Sequence, residues 1–244
     1  MGSRAAMNLE TAVGDDKVMQ DFESELFSDR GRHSPMVKAP PIKNDDGSKD
    51  CVNLSSPTVV SRLKAVFLDR DGVLIEAIVR KKRPYPPKYL KDVNILPFVP
   101  KALELLRKLG FRLIVVTNQP DVARGKQTRE KADAIHAVLT KRLLLDEIRV
   151  CYHDDADSCS CRKPAPGLLL DAARDWNLDL SSSYMVGDRW RDMEAGERAG
   201  CRTVFIDYGY DEKKPAEVTV RVKTLFEAAL WIALMEAKCK QSTT

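Results

Sequence analysis

Phe67-Leu68-Asp69-Arg70-Asp71-Gly72-Val73-Leu74 is the stretch on which the reading of this 244-residue chain turns. It closes an apolar, β-rich run over residues 63–69, so its two aspartates stand two residues apart at the end of a buried strand. Carboxylates so placed repel each other unless a cation or a division of labour separates them. Gly72 permits the tight turn that brings both to one site. A turn or helix-cap role for either aspartate does not explain why both follow an apolar strand.

Outward from this stretch, apolar runs alternate with amphipathic segments. Residues 97–109 carry Val99, Leu103 and Leu106 at helical spacing and end at Gly110, a C-cap candidate. Residues 111–116 read as a second buried strand, and 128–144 as a helix with Thr128 at its N-cap. Further strands are predicted over 148–152, 184–186 and 203–206, with helices over 166–176, 191–199 and 224–237. Repeated strand–helix units predict an α/β fold with a doubly wound, Rossmann-like parallel sheet, whose ligands bind beyond the carboxyl ends of its strands.

Every predicted strand end is polar: Thr117-Asn118-Gln119 after the second, Cys161-Arg162-Lys163-Pro164 following the third, Gly187-Asp188-Arg189-Trp190-Arg191-Asp192 after the fourth. These segments, in this order over residues 63–206, resemble the four motifs of the haloacid dehalogenase (HAD) superfamily of phosphohydrolases. In detail they resemble its subfamily of heptose bisphosphate and histidinol-phosphate phosphatases. The resemblance implies a HAD-like domain with little or no cap. It also implies Asp69 as the nucleophile that becomes phosphorylated, Asp71 as general acid then base, Thr117 as a phosphoryl hydrogen-bonding group and Lys163 as the compensating cation. Mg²⁺ would be held by the Asp69 and Asp188 carboxylates and the Asp71 carbonyl, with Asp192 supporting the metal water or Lys163. Asn118, Gln119, Arg124, Arg162 and Arg189 are the candidate substrate contacts, and Arg80 could add to them.

The chain has six cysteines, of which Cys151, Cys159 and Cys161 fall together with His153. Three thiolates and one imidazole suit a structural Zn²⁺ site with no open position for water, one that closes the polar segment 154–158 and places Arg162 and Lys163. The same arrangement marks the resembled subfamily. Cys51, Cys201 and Cys239 lack partners at ligand spacing, as do His33 and His136, which are expected to be structural or solvated.

Composition sets outer limits. With 43% hydrophobic and 31% charged residues the bulk should fold, and a net charge of +4 gives no nucleic-acid footprint. The basic run Arg80-Lys81-Lys82-Arg83 is expected to be a solvated loop, with attraction of a small anion left open. Residues 1–60 are expected to be a disordered leader with one weak helix near 18–27, and residues 61–240 the phosphatase domain. No membrane span or signal peptide is evident, so a cytoplasmic monomer acting on a small phosphorylated sugar, with neither nucleic acid nor membrane as partner, is expected.

The resemblance points to D-glycero-D-manno-heptose 1,7-bisphosphate, losing its C7 phosphate in lipopolysaccharide synthesis. The alternatives are histidinol phosphate, a polynucleotide 3′-phosphate, or a catalytically idle zinc-stapled scaffold. The subfamily commonly has DRDGT and NQSG where this chain has Val73 and Gln119-Pro120-Asp121-Val122. Arg124-Gly125 is retained, which favours the heptose branch.

Overall fold

In the computed structural model, residues 62–241 are described, all within the unit Arg62–Thr244. The expected leader, its helix, Cys51 and His33 lie outside the described residues.

Six parallel strands form the sheet: β1 (Ala65–Leu68), β4 (Arg112–Asn118), β5 (Glu147–Cys151), β6 (Tyr184–Gly187), β7 (Arg202–Ile206) and β8 (Val220–Val222). Their spatial order is β5-β4-β1-β6-β7-β8. Five helices accompany them: α1 (Val99–Lys108), α2 (Arg129–Arg142), α3 (Gly167–Trp176), α4 (Trp190–Ala199) and α5 (Leu225–Gln241). The predicted doubly wound sheet is the one found.

All four residues of β1 are fully buried, as a central strand covered on both faces requires. Side chains alternate across it. Ala65 and Phe67 join Leu168, Leu169, Met193 and Ala195 of α3 and α4 in one core cluster. On the other face Tyr184 meets Phe111 and Trp231 of α5 edge-on, and α1 packs on α5. Thr128 caps α2 as expected, its hydroxyl accepting from the Lys131 N–H at 3.4 Å. Gly110, just past α1, takes φ +87°, the left-handed conformation of a helix-ending glycine.

The topology selects the place for a site. From β1 the chain runs outward to β4 and β5, then returns to β6 on the other side of β1 and proceeds to β7. The crevice between β1 and β6 is therefore the switch point where connections leave in opposite directions, the position at which open α/β sheets bind ligands. Asp69 follows β1 and Asp188 follows β6.

Two elements differ from expectation. The basic run is a hairpin tip: β2 (Ile78–Arg80) and β3 (Arg83–Tyr85) pair antiparallel through a two-residue turn at Lys81 and Lys82. Both turn residues have positive φ, 49° and 60°, as a type I′ connection demands. The second difference is β8, a three-residue strand too short to carry a period.

Candidate active site

Asp69 leaves β1 with its N–H bonded to the Val186 carbonyl of β6 at 3.0 Å, which fixes the side chain over the crevice. Its Oδ1 accepts from Lys163 Nζ at 2.7 Å. Lys163 is 2% exposed and donates also to the Val116 carbonyl at 2.7 Å and to Asp192 Oδ1 at 2.6 Å. Its three ammonium protons thus have three acceptors. Burial works against the charged lysine, but the Asp192 and Asp69 carboxylates outweigh it and raise its pKa. Asn118 ties this loop to β4 from both sides: its amide donates to the Lys163 carbonyl at 3.0 Å and accepts from the Lys163 N–H at 3.1 Å.

Asp188 and Asp192 complete an acidic cluster with Asp69, one oxygen of each lying within 4.8 Å of the others. Asp192 is committed, with one oxygen on Lys163 and the other on the Arg189 N–H at 3.0 Å, where it caps α4. Asp188 lies two residues before the first residue of α4. It is 1% exposed, and its one donor neighbour is the Tyr210 hydroxyl, which lies beside it without the geometry of a good hydrogen bond. Burial first, then the Asp69 and Asp192 charges, push its pKa well above the usual carboxylate range. The same burial lifts Asp192 to about 6, with Lys163 opposing. Gly72 is required here, since it takes φ +87° and an added Cβ would fall 1.9 Å from Asp188 Oδ2.

A buried carboxylate with no paired cation and only one tyrosine hydroxyl near it, set beside a second carboxylate, offers the oxygen donors a hard divalent cation takes. Asp69 Oδ2 and Asp188 are the oxygens that neither Lys163 nor a backbone amide occupies. The fit to Mg²⁺ is therefore good.

Asp71 is held by donors. The fork of Arg70, a side chain with no exposure at all, meets it at 3.0–3.3 Å, and Gln119 Nε2 donates to it at 3.0 Å and to Thr117 Oγ1 at 2.9 Å. Behind Arg70, His136 Nε2 accepts from Nη1 at 2.9 Å. Burial, then the Arg70 charge, lower the His136 pKa to about 4, which keeps the imidazole a neutral acceptor. Sequence reasoning misses this layer, because His136 is distant along the chain. The only local signal is Arg70 itself, standing between the two aspartates.

A cavity of about 530 Å³ opens over Asp69, Asp71, Asn118, Lys163 and Asp192. Of the expected substrate contacts, Arg124, Arg162 and Arg189 line it, each carrying an acidic partner: Arg124 on Asp154 (Nε–Oδ2 2.8 Å), Arg162 on Asp155 (2.9 Å), Arg189 on Glu212 (Nε–Oε2 3.0 Å). Gln119 departs from expectation. It is fully buried outside the cavity lining, where it orients Asp71 and Thr117. Arg191, Arg83, Lys88 and Lys126 also line the cavity and are not among the expected contacts.

The four Cys–His donors come together. Cys151, Cys159 and Cys161 sulfurs lie 3.3–3.7 Å apart, and His153 Nδ1 lies 3.6 and 3.3 Å from the Cys151 and Cys161 sulfurs. Tetrahedral zinc with bonds of about 2.0–2.3 Å calls for separations of about 3.5–3.8 Å, so the donors fit. The loop they close carries Asp154 and Asp155, which orient Arg124, Arg162 and Arg191.

With this geometry in place, similarity to known proteins becomes informative. A HAD-hydrolase-like family profile matches residues 160–227. D-glycero-alpha-D-manno-heptose-1,7-bisphosphate 7-phosphatase of Photorhabdus laumondii is 31% identical over 182 residues, 68% of this chain and 94% of that protein. The beta-anomer phosphatase of Helicobacter pylori is 32% identical over 180 residues, 71% of this chain and 99% of that protein. The chain belongs to this HAD-type phosphatase family. The crystal structure of D,D-heptose 1,7-bisphosphate phosphatase from B. bronchiseptica, complexed with magnesium and phosphate, aligns with a TM-score of 0.61 at 29% identity, over 71% of this chain and 99% of that one. Among the described residues no helix is long and apolar enough to cross a membrane.

Proposed function

We propose that the chain is a Mg²⁺-dependent phosphomonoesterase that removes the C7 phosphate of D-glycero-D-manno-heptose 1,7-bisphosphate. The observation that carries the chemistry is the cluster at the β1–β6 crevice: Asp69 bridged by Lys163 to Asp192, with the buried Asp188 beside it free of any paired cation. The relatives named above supply the substrate class, and they include phosphatases for both anomers.

In this reading Asp69 attacks phosphorus, an aspartyl phosphate forms, and the ester P–O bond breaks. Asp71 gives a proton to the departing sugar oxygen. It then takes one from the water that attacks the aspartyl phosphate, releasing phosphate and restoring the Asp69 carboxylate. Arg70 and Gln119 aim Asp71. Lys163 and Thr117 meet the charge that spreads over the phosphoryl oxygens. Mg²⁺, held by Asp69, Asp188 and the Asp71 carbonyl, would neutralise negative charge on the phosphoryl group and the nucleophile. Zn²⁺ in the Cys₃His cluster has a structural role, fastening the loop that presents Arg162 and Lys163. Arg124, Arg162 and Arg189 face the sugar phosphate, and the enzyme works as a cytoplasmic monomer.

The test is phosphate release from both heptose 1,7-bisphosphate anomers and from histidinol phosphate, with and without Mg²⁺. Mg²⁺-dependent turnover of a heptose bisphosphate is expected. Turnover of histidinol phosphate alone would overturn the substrate assignment.

A further inference from the structure

The basic side chains of the cavity fall into two groups. Arg124, Arg162, Arg189 and Arg191 each form an ion pair, Arg162 and Arg191 sharing Asp155. Arg80, Arg83, Lys88 and Lys126 line the same cavity with no ion pair or side-chain hydrogen bond among the described residues. The two arginines of this second group are the closing pair of the β2–β3 hairpin, directly opposite each other in register.

That arrangement is unfavourable as it stands. Like charges facing each other across a strand pair repel. The turn between them places two lysines, rather than glycine or asparagine, in the left-handed region. An ordinary solvated hairpin gains nothing from such a tip. An anion held between the two guanidinium forks converts the repulsion into paired, charge-assisted contacts, which is the recognition arginine forks are suited to. Position separates this tip from a surface patch, because Arg80 and Arg83 line the cavity that contains Asp69, and its volume of about 530 Å³ suits a ligand of sugar size. One phosphate already has its cation there in Lys163.

We propose that Arg80 and Arg83, supported by Lys88 and Lys126, form a second anion subsite that takes a phosphate carried on the alcohol to be released, so that this hairpin sets a preference for bisphosphorylated over monophosphorylated sugars. The inference rests on the phosphatase reading above and assigns the distal phosphate to residues of this chain.

The experiment compares kcat/KM for heptose 1,7-bisphosphate with that for p-nitrophenyl phosphate, which has no second phosphate, in wild type and in Arg80→Gln/Arg83→Gln, with Mg²⁺ present. The ratio of the two is expected to fall about 10- to 100-fold in the variant, mostly through KM. Lys81→Gln/Lys82→Gln removes the same charge from turn residues outside the cavity lining and is expected to keep the wild-type ratio. An unchanged ratio in the arginine variant, or an equal fall in the lysine variant, overturns the subsite. If wild type does not turn over heptose bisphosphate, the substrate assignment fails separately. The subsite is then decided by inhibition of p-nitrophenyl phosphate hydrolysis: fructose 1,6-bisphosphate must inhibit more tightly than fructose 6-phosphate, and lose that advantage in the arginine variant. Equal inhibition of wild type by both overturns it.

Discussion

Replacing Asp188 by asparagine should stabilise the metal-free protein while abolishing its response to Mg²⁺. The carboxylate is 1% exposed, only the Tyr210 hydroxyl stands near it as a donor, and the nearest oxygens of Asp69 and Asp192 lie within 4.8 Å. Two like charges at that separation repel by about 3 kcal/mol at an effective dielectric constant of about 20. Lys163 offsets part of this, and proton uptake by Asp188 relieves more, leaving a gain for the neutral amide of about 1–3 kcal/mol. For a domain of this size each kcal/mol moves Tm by about 2–4 °C. The sign with pH follows from the raised pKa of Asp188. A carboxyl whose folded pKa exceeds its unfolded value has its favourable contribution below the unfolded value and loses it as pH rises through the folded one. The advantage of the variant therefore grows with pH and vanishes in acid. Magnesium at about 100 times its Kd would add about 2.7 kcal/mol to wild type and little to the variant, inverting the order. The assay is calorimetry between about pH 5 and 8, with and without Mg²⁺ and with no chelator, so that the Cys–His cluster is undisturbed. An Asp188→Asn variant that melts below wild type without Mg²⁺, or that gains as much from Mg²⁺, would refute the reasoning.

The buried His136 should make stability fall in acid. Its pKa is lowered to about 4, against an ordinary value near 6.5, so the unfolded chain binds a proton that the folded one refuses between those values, at a cost approaching about 3 kcal/mol by pH 4. His136→Gln, which keeps an acceptor for Arg70 beside Asp133 and Tyr152, should lose most of that dependence in urea melts at about pH 7, 5.5 and 4.5; parallel slopes would contradict it. Cys159→Ser should lose one bound zinc per chain by metal analysis and lower kcat by loosening Arg162 and Lys163, with the helical circular dichroism kept. A zinc-free wild type of full activity would remove the role given to the cluster.

Much of the site is legible in the sequence because its chemistry sits at strand ends, and apolar strands are the clearest signal in the chain. Asp69, Thr117 and Asp188 can be placed from the runs that precede them, and the Cys–His cluster from spacing alone. The hairpin reads as a loop because β2 and β3 have three residues each, one of them Pro84, and little burial to impose a period. Long-range pairing escapes as well. Nothing near Arg70 announces His136, 66 residues away, and nothing near Arg189 announces Glu212 in the loop after β7. Gln119 looks like a substrate contact because it follows a motif strand, yet a polar residue there can equally turn inward and satisfy buried carboxylate and hydroxyl groups, as it does.

Acid-quenching the enzyme during turnover of labelled substrate tests the central claim most directly. The account predicts protein-bound phosphate that is released by hydroxylamine and maps to the peptide containing Asp69, with both the label and Mg²⁺-dependent phosphate release lost in Asp69→Asn while the fold and the zinc are retained. Undiminished turnover by Asp69→Asn, or a label on another residue, would contradict it.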